Sequence, residues 1–419
     1  MKVAVVGSGI SGLVAARELA DDHDVQVFEA APRLGGHTHT VDVITDGISS
    51  AIDTGFIVFN ERTYPNFVRI LRELGVPWRD SEMSFSVCDQ RTGLEYNGSS
   101  LGGLFSQRRN LLRPRFWRMI QDIARFYRQV REVLDEADPS LTLGQYLKRE
   151  RFGEEFIERH ILPMGAAVWS SGSEKMLSFP VETFVRFFDH HGFLQIKGRP
   201  QWLVLEGGSR SYVEPMVRSF RDRIHLQTPI VSVRSLERGV EIKTLRGESA
   251  RFDRVILACH SDQALRMLVD ANDREHEILG SIPYQKNLVT LHTDERVMPK
   301  CRRAWASWNV SVMRQQDPRA RVTYWMNRLQ GLDTPTQHFV TLNDEEGIAE
   351  DRILRRLSYD HPVFTPAGIA AQKRHHEIDG RRGVHFCGAY WGYGFHEDGV
   401  VSALEVAQSL RSLQRAVAR

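Results

Sequence analysis

Three glycines near the N-terminus, in Gly7-Ser8-Gly9-Ile10-Ser11-Gly12, follow a G-x-G-x-x-G spacing that suits a backbone brought against a pyrophosphate. The first permits a tight turn, the second leaves room for the phosphates, and the third lets a helix pack closely on a strand. An acid, Glu29, closes the next apolar run, Val25-Gln26-Val27-Phe28, where a carboxylate can accept from a ribose 2′-hydroxyl and would repel a 2′-phosphate. The chemistry these residues predict is dinucleotide binding, with NADP disfavoured. They can meet only if the chain runs strand, turn, helix, strand. Residues 2–6 are a short apolar run fit for a buried parallel strand, and residues 13–20 are helix formers whose N-terminal amides would face the phosphates.

After Glu29 come Ala30-Ala31-Pro32-Arg33-Leu34-Gly35-Gly36-His37-Thr38, a run that resembles the Glu-Ala-x-x-Arg-x-Gly-Gly signature of the flavin-containing amine oxidase superfamily. The resemblance implies FAD as cofactor. It places Ser8, Ile10, Ser11 and Ala30 with the nucleotide, and Arg33, Leu34, Gly35, Gly36, His37 and Thr38 along the diphosphate and ribityl chain. His37 stands where the family carries Arg, which exchanges a permanent charge for one that ordinarily titrates near pH ~6.5. Asp53-Thr54-Gly55-Phe56-Ile57-Val58-Phe59 is similar to the stretch that crosses one face of the isoalloxazine ring, so Gly55, Phe56 and Ile57 are expected there. Val231 would line the adenine; the alternative is a core valine on a strand. Near the C-terminus, Gly388 and the group Glu397, Asp398, Gly399 and Val400 fit a glycine at a strand end and a late helix whose N-terminus points at the flavin. Asp398 is alternatively that helix's N-cap.

A narrower resemblance rests on Gly394-Phe395-His396-Glu397-Asp398-Gly399, Leu291-His292-Thr293-Asp294, Met298-Pro299 and Ala306-Ser307-Trp308-Asn309. These are similar to the predicted NAD/FAD-binding proteins found beside, or fused to, cyclopropane fatty acid synthases. That implies a fold of the α/β class, with a Rossmann-type FAD-binding domain and a discontinuous α+β substrate domain. Residues 1–80, 205–265 and 380–419 would form the FAD domain, and 81–204 and 266–379 the substrate domain, with Gly207-Gly208-Ser209 reversing the chain between them. The activity implied is desaturation, oxidation or isomerisation of a long, phospholipid-linked acyl chain, with hydride passing to flavin N5. His396 is the first candidate base, the alternative being a histidine bonded to backbone. Lys286 lies in a stretch resembling the strand that carries the active-site lysine of amine oxidases. Tyr390 is a third catalytic candidate, in an aromatic wall with Trp391, Tyr393 and Phe395 that faces Trp202, Trp305 and Trp308. Two other readings stand beside this one: oxidation of a soluble amine, and a non-catalytic flavoprotein partner that presents lipid to a methyltransferase.

The rest of the chain bounds these readings. With 419 residues, 42% hydrophobic and 26% charged, it suits two to three soluble domains and excludes collagen-like and disordered classes. The +2 formal charge is the difference between 55 basic and 53 acidic residues, so any attraction to nucleic acid or membrane must be local, and no nucleic-acid partner is expected. Eight basic residues are lysines; the others are arginines, which suit phosphates and carboxylates. Cys88, Cys259, Cys301 and Cys387 show neither C-x-x-C nor metal-ligand spacing, which predicts free thiols, no metal and a cytoplasmic protein. Residues 104–136 hold eight arginines among apolar residues at helical spacing. They predict a basic amphipathic helix or helix pair, either docking on the anionic inner face of a membrane or presenting a solvated face.

Overall fold

A computed structural model of the chain describes residues 1–135, 138, 140–169, 173–195, 198–313 and 321–417. Its first layer is a five-stranded parallel sheet in the order Val384–Phe386, Arg254–Leu257, Lys2–Val6, Asp24–Phe28, Ile224–His225. These strands are short apolar runs because helices and a second sheet cover both faces, so alternation with polar residues would be costly. The helix Ile10–Leu19 packs against the last helix, His396–Val417. Beside them lies an antiparallel meander, Ile230–Ser235, Val240–Thr244 and Ser249–Phe252. The α/β, Rossmann-type expectation is met.

The second layer is a seven-stranded sheet in the order Ile353–Pro362, Tyr284–His292, Phe339–Leu342, Arg321–Trp325, Trp308–Val312, Phe85–Asp89, Leu94–Asn97. All its pairings are antiparallel except Trp308–Val312 with Phe85–Asp89. A helical cluster including Pro114–Gln129 and Val181–His190 packs on it through a Phe-rich core. Two joints tie the layers together. Trp78–Ser81 pairs with Trp202–Leu205. Asp53, at the end of a hairpin, accepts from Thr40 Oγ1 at 2.6 Å and from the Ser209 amide and hydroxyl at 2.8 and 2.7 Å, and Gln330 Nε2 donates to it at 3.1 Å. Gly207 and Gly208 reach Asp53 through consecutive positive φ angles of 76° and 87°, a reversal other residues make only under strain.

The arginine-rich segment contains the amphipathic helix that its spacing predicts. It forms a short 3-10 turn, Arg108–Leu112, the helix Pro114–Gln129 and a further 3-10 turn, Val130–Asp135; Glu136 lies outside the described residues. The helix is amphipathic, but its apolar stripe of Phe116, Met119 and Phe126 is buried in the core. That stripe is therefore not available to a membrane. All four cysteines are free. Among the described residues, no helix is long and apolar enough to cross a membrane, and no group of three His, Cys, Asp or Glu could hold a metal.

Candidate functional site

One cavity of about 970 Å³ runs from the glycine turn to the face of the seven-stranded sheet. At the turn, a Cβ on Gly7 would lie 2.6 Å from the Ala258 carbonyl oxygen and one on Gly12 would lie 1.9 Å from the Gly7 oxygen, so neither position admits a side chain. Gly9 is different: a Cβ there meets nothing within 4 Å, because that side faces the cavity. Gly9 caps the helix Ile10–Leu19, and Ile10 and Ser11 of its first turn also line the wall, a geometry that aims helix amides at an anion. Glu29 accepts from the Ser8 amide and hydroxyl at 2.8 and 2.6 Å and from the Ala31 amide at 2.8 Å, which fixes its carboxylate at the rim. Ala30 lines the cavity beside it, and Val231 lies across the same end, 42% exposed and so not a core valine.

Along the cavity floor, Gly36 packs against Gly9, and Arg33 donates to the carbonyls of Gly36 and Thr38 at 2.7 and 3.1 Å. Its guanidinium thus braces the Gly35-Gly36 loop while still facing the cavity. Gly55 passes so close to this loop that a Cβ would lie 2.1 Å from the His37 oxygen, which places Gly55, Phe56 and Ile57 on the wall. Gly388 is there too, its amide donating to Ser402 Oγ at 3.1 Å. This cradle, an open Gly9 beside helix amides with an acceptor at one end and a flat apolar strip at the other, fits an extended dinucleotide carrying a planar ring.

His37 does not behave as a cation titrating near neutrality. Its ring sits 5.4 Å from His361, 6.0 Å from His260 and 5.1 Å from Tyr359, and enclosure beside other imidazoles holds it well below the ordinary value. His260, His361 and Tyr359 come from distant segments, and no local pattern marked them.

His396 opens the last helix and lines the cavity. Its Nε2 lies 3.0 Å from Thr38 Oγ1 and 3.1 Å from the Tyr212 hydroxyl, its ring stacks on Phe56 at 3.6 Å, and burial pushes its pKa down to about 3. A general base acting near neutrality needs a pKa closer to 7. Lys286 is exposed on its strand and does not line the cavity. Tyr390 lines it, with a hydroxyl that burial keeps protonated.

Several expected cofactor contacts have other work. Leu34 packs on the core, and Thr38 hydrogen-bonds Tyr212 and His396. Glu397 turns away to accept from Asn66 N, Asn66 Nδ2 and Phe67 N at the start of the helix Pro65–Leu74. Asp398 is not the N-cap, since the helix begins at His396; from the first turn it reaches back to accept from the Phe395 amide at 2.8 Å, and burial pushes its pKa up to about 6. Gly399 abuts Ser11 and Ile10, and Val400 is in the core. Trp305 packs against Trp325, and Trp391 against His375, so neither forms the aromatic wall.

The far end of the cavity is a chamber of Trp169, Phe187, Phe193, Trp202, Trp308 and Tyr324, with Tyr393 and Phe395 beside it. Phe187 stacks on Phe395 at 4.9 Å and touches Trp169 at 4.8 Å. Trp202, Trp308, Tyr393 and Phe395 were legible as an aromatic set; Trp169 and Phe187 on core helices and Phe193 in the turn after one were not, since such aromatic residues carry no mark of facing a ligand.

Residues 10–311 match the family model described as flavin containing amine oxidoreductase. A flavin-dependent L-tryptophan oxidase of Lentzea aerocolonigenes is 52% identical over 40 residues, 9% of this chain and 8% of that protein's length. Among solved structures, wild-type putrescine oxidase bound to putrescine superposes with a TM-score of 0.71 at 15% identity, covering 98% of this chain and 99% of that one. A CLA-producing fatty acid isomerase from P. acnes gives 0.69 at 14% identity, covering 97% and 98%. Cyclohexylamine oxidase from Brevibacterium oxydans IH-35A gives 0.70 at 15%, covering 98% and 99%. At these identities the structures speak for a shared fold.

Proposed function

The chain belongs to the flavin containing amine oxidoreductase family and is an FAD-dependent oxidoreductase, and from that premise we propose that its substrate is a long acyl chain, which it desaturates, oxidises or isomerises. The observation that carries this reading is the chemistry of the chamber. Among the described residues that line the cavity, the only carboxylates are Glu29, held by Ser8 at the nucleotide end, and Asp360, beside the His260 and His361 cluster. Among the described residues, those of the aromatic chamber include no carboxylate to pair with an ammonium group. His191, which shares it, donates from Nδ1 to the Phe187 carbonyl at 2.9 Å, and burial pushes its pKa down to about 4, so it adds no charge.

When bound, FAD supplies a hydride acceptor. The protein's part is to hold an unactivated C–H bond in register and keep water away. Phe187, Trp169 and Phe395, in contact with one another, offer an apolar surface against which methylenes can lie, and Phe56, stacked on His396, closes the cofactor side. The fatty acid isomerase among the structural neighbours is compatible with this reading as the amine oxidases are with an amine, so the lining of the chamber carries it.

The test is to incubate the FAD-loaded protein with phospholipid vesicles and, separately, with putrescine and L-tryptophan. Acyl chains are then analysed for double-bond number and position, and the amine reactions for hydrogen peroxide. Altered acyl chains without amine turnover are expected; amine turnover with unchanged acyl chains overturns the proposal.

A further inference from the structure

From 96 to 121 the chain carries five arginines, Arg108, Arg109, Arg113, Arg115 and Arg118, and no carboxylate. The same stretch exposes Leu101, Leu111, Leu112 and Trp117 by 78%, 47%, 87% and 42%. These side chains form one surface. The Trp117 indole donates to the Leu111 carbonyl at 2.9 Å, and its ring lies 5.3 Å from Phe105, whose amide donates to the Leu101 carbonyl. Beyond Leu112 the surface continues into a groove of about 390 Å³ with Leu94, Phe116 and Met119 among its walls and Arg113 and Arg115 at its edge. The acid that lines this groove, Glu155, is shared between Arg159 and Arg115.

We propose that this face docks the protein on an anionic phospholipid bilayer. Leu112 and Leu101, nearly bare to water, gain by entering the boundary between headgroups and acyl chains. Trp117 suits that boundary because its ring is apolar and its N–H polar, and the guanidiniums meet lipid phosphates. A polynucleotide would reward the arginines but not the leucines. The docking element is the turn before the helix Pro114–Gln129 and that helix's first turn, because the helix's own apolar stripe is committed to the core. The inference concerns binding alone and stands apart from the identity of the substrate.

The FAD-loaded full chain is sedimented with vesicles of phosphatidylcholine alone and with vesicles containing phosphatidylglycerol. Binding to the anionic vesicles only is expected, weakening with added salt. Combining Arg108→Ala, Arg115→Ala and Arg118→Ala should lower the partition coefficient about a hundredfold, at about fivefold per arginine. The pair Leu111→Ala and Leu112→Ala should lower it at least about tenfold without altering the salt dependence. Because all five side chains are partnered at most at the surface, flavin content and circular dichroism should stay as in the parent and certify folding. Absence of binding to anionic vesicles overturns the proposal. So does vesicle binding indifferent to the leucines, or arginine-dependent binding to DNA that exceeds binding to vesicles.

Discussion

His396 and Glu29 show how a side chain's neighbours decide its chemistry. An imidazole beside a flavin site is an obvious base by type, yet Thr38 and Tyr212 occupy its Nε2 and burial leaves it a pKa of about 3. Glu29 is the converse: an ordinary carboxylate made decisive by the three donors that hold it at the nucleotide end of the cavity. Replacing Glu29 by Ala should remove charge-assisted hydrogen bonds worth about 1.5–3 kcal/mol and slacken the glycine turn. The FAD dissociation constant of the apoprotein, followed by fluorescence quenching, is expected to rise by about tenfold to a hundredfold. Glu29→Gln, which keeps one acceptor oxygen, should fall between. An unchanged constant in the Ala variant would remove Glu29 from the site.

At the scale of elements, the start of the last helix is a structural junction. Glu397 reaches across to the helix Pro65–Leu74 and serves as its N-terminal acceptor, while Asp398, in the first turn of its own helix, accepts from the preceding Phe395 amide. Glu397→Ala leaves two amides and a side-chain amide without their acceptor, at a cost of about 1–3 kcal/mol. Urea unfolding of the variant is expected to show that loss, with FAD affinity of the folded protein retained. A fall in affinity at parental stability would return Glu397 to the cofactor. The helix Pro114–Gln129 teaches a related lesson: amphipathic periodicity says that a helix has an apolar face, not whether that face meets a core or a bilayer. Here the core took it.

For the whole molecule, buried neutral histidines set the response to acid. Burial holds His160 and His396 at about 3 and His191, His292 and His361 at about 4. An unfolded chain protonates these near ~6.5, so it binds protons that the fold refuses. The stability this gives is whole above ~6.5 and is lost as pH falls toward their folded values. Asp53 and Asp398, pushed up to about 6, act in the opposite sense, gaining protons in the fold before the unfolded chain does. Five groups against two predict that the FAD-loaded protein melts at lower temperature near about pH 5 than near about pH 7. His160 and His292 lie outside the cavity, so cofactor does not cancel the effect. A Tm that is flat or rises on acidification would contradict it.

What could be read directly from the chain was everything that depends on local backbone demand. The spacing of Gly7, Gly9 and Gly12, the acid at the end of the second strand and the Gly35-Gly36 loop impose turn, helix start and close approach within a few residues. Together they were enough for a Rossmann-type dinucleotide site; FAD and the enzyme class came from the resemblance of the Glu29 to Gly36 run to the flavin-containing amine oxidase superfamily. Side-chain roles at long range were not legible in the same way. His260 and His361 meet His37 only because a helix start and a strand of the second sheet converge on the glycine loop. Trp169 and Phe187 face the chamber only because of how their helices rotate on the core. Lys286 has the residue type of a catalytic group but sits on the exposed side of its strand. Local conformation follows from sterics between neighbours along the chain, whereas a pKa, a free lone pair or an exposed leucine is set by which distant atoms exclude water from it, and that is decided only when the layers pack.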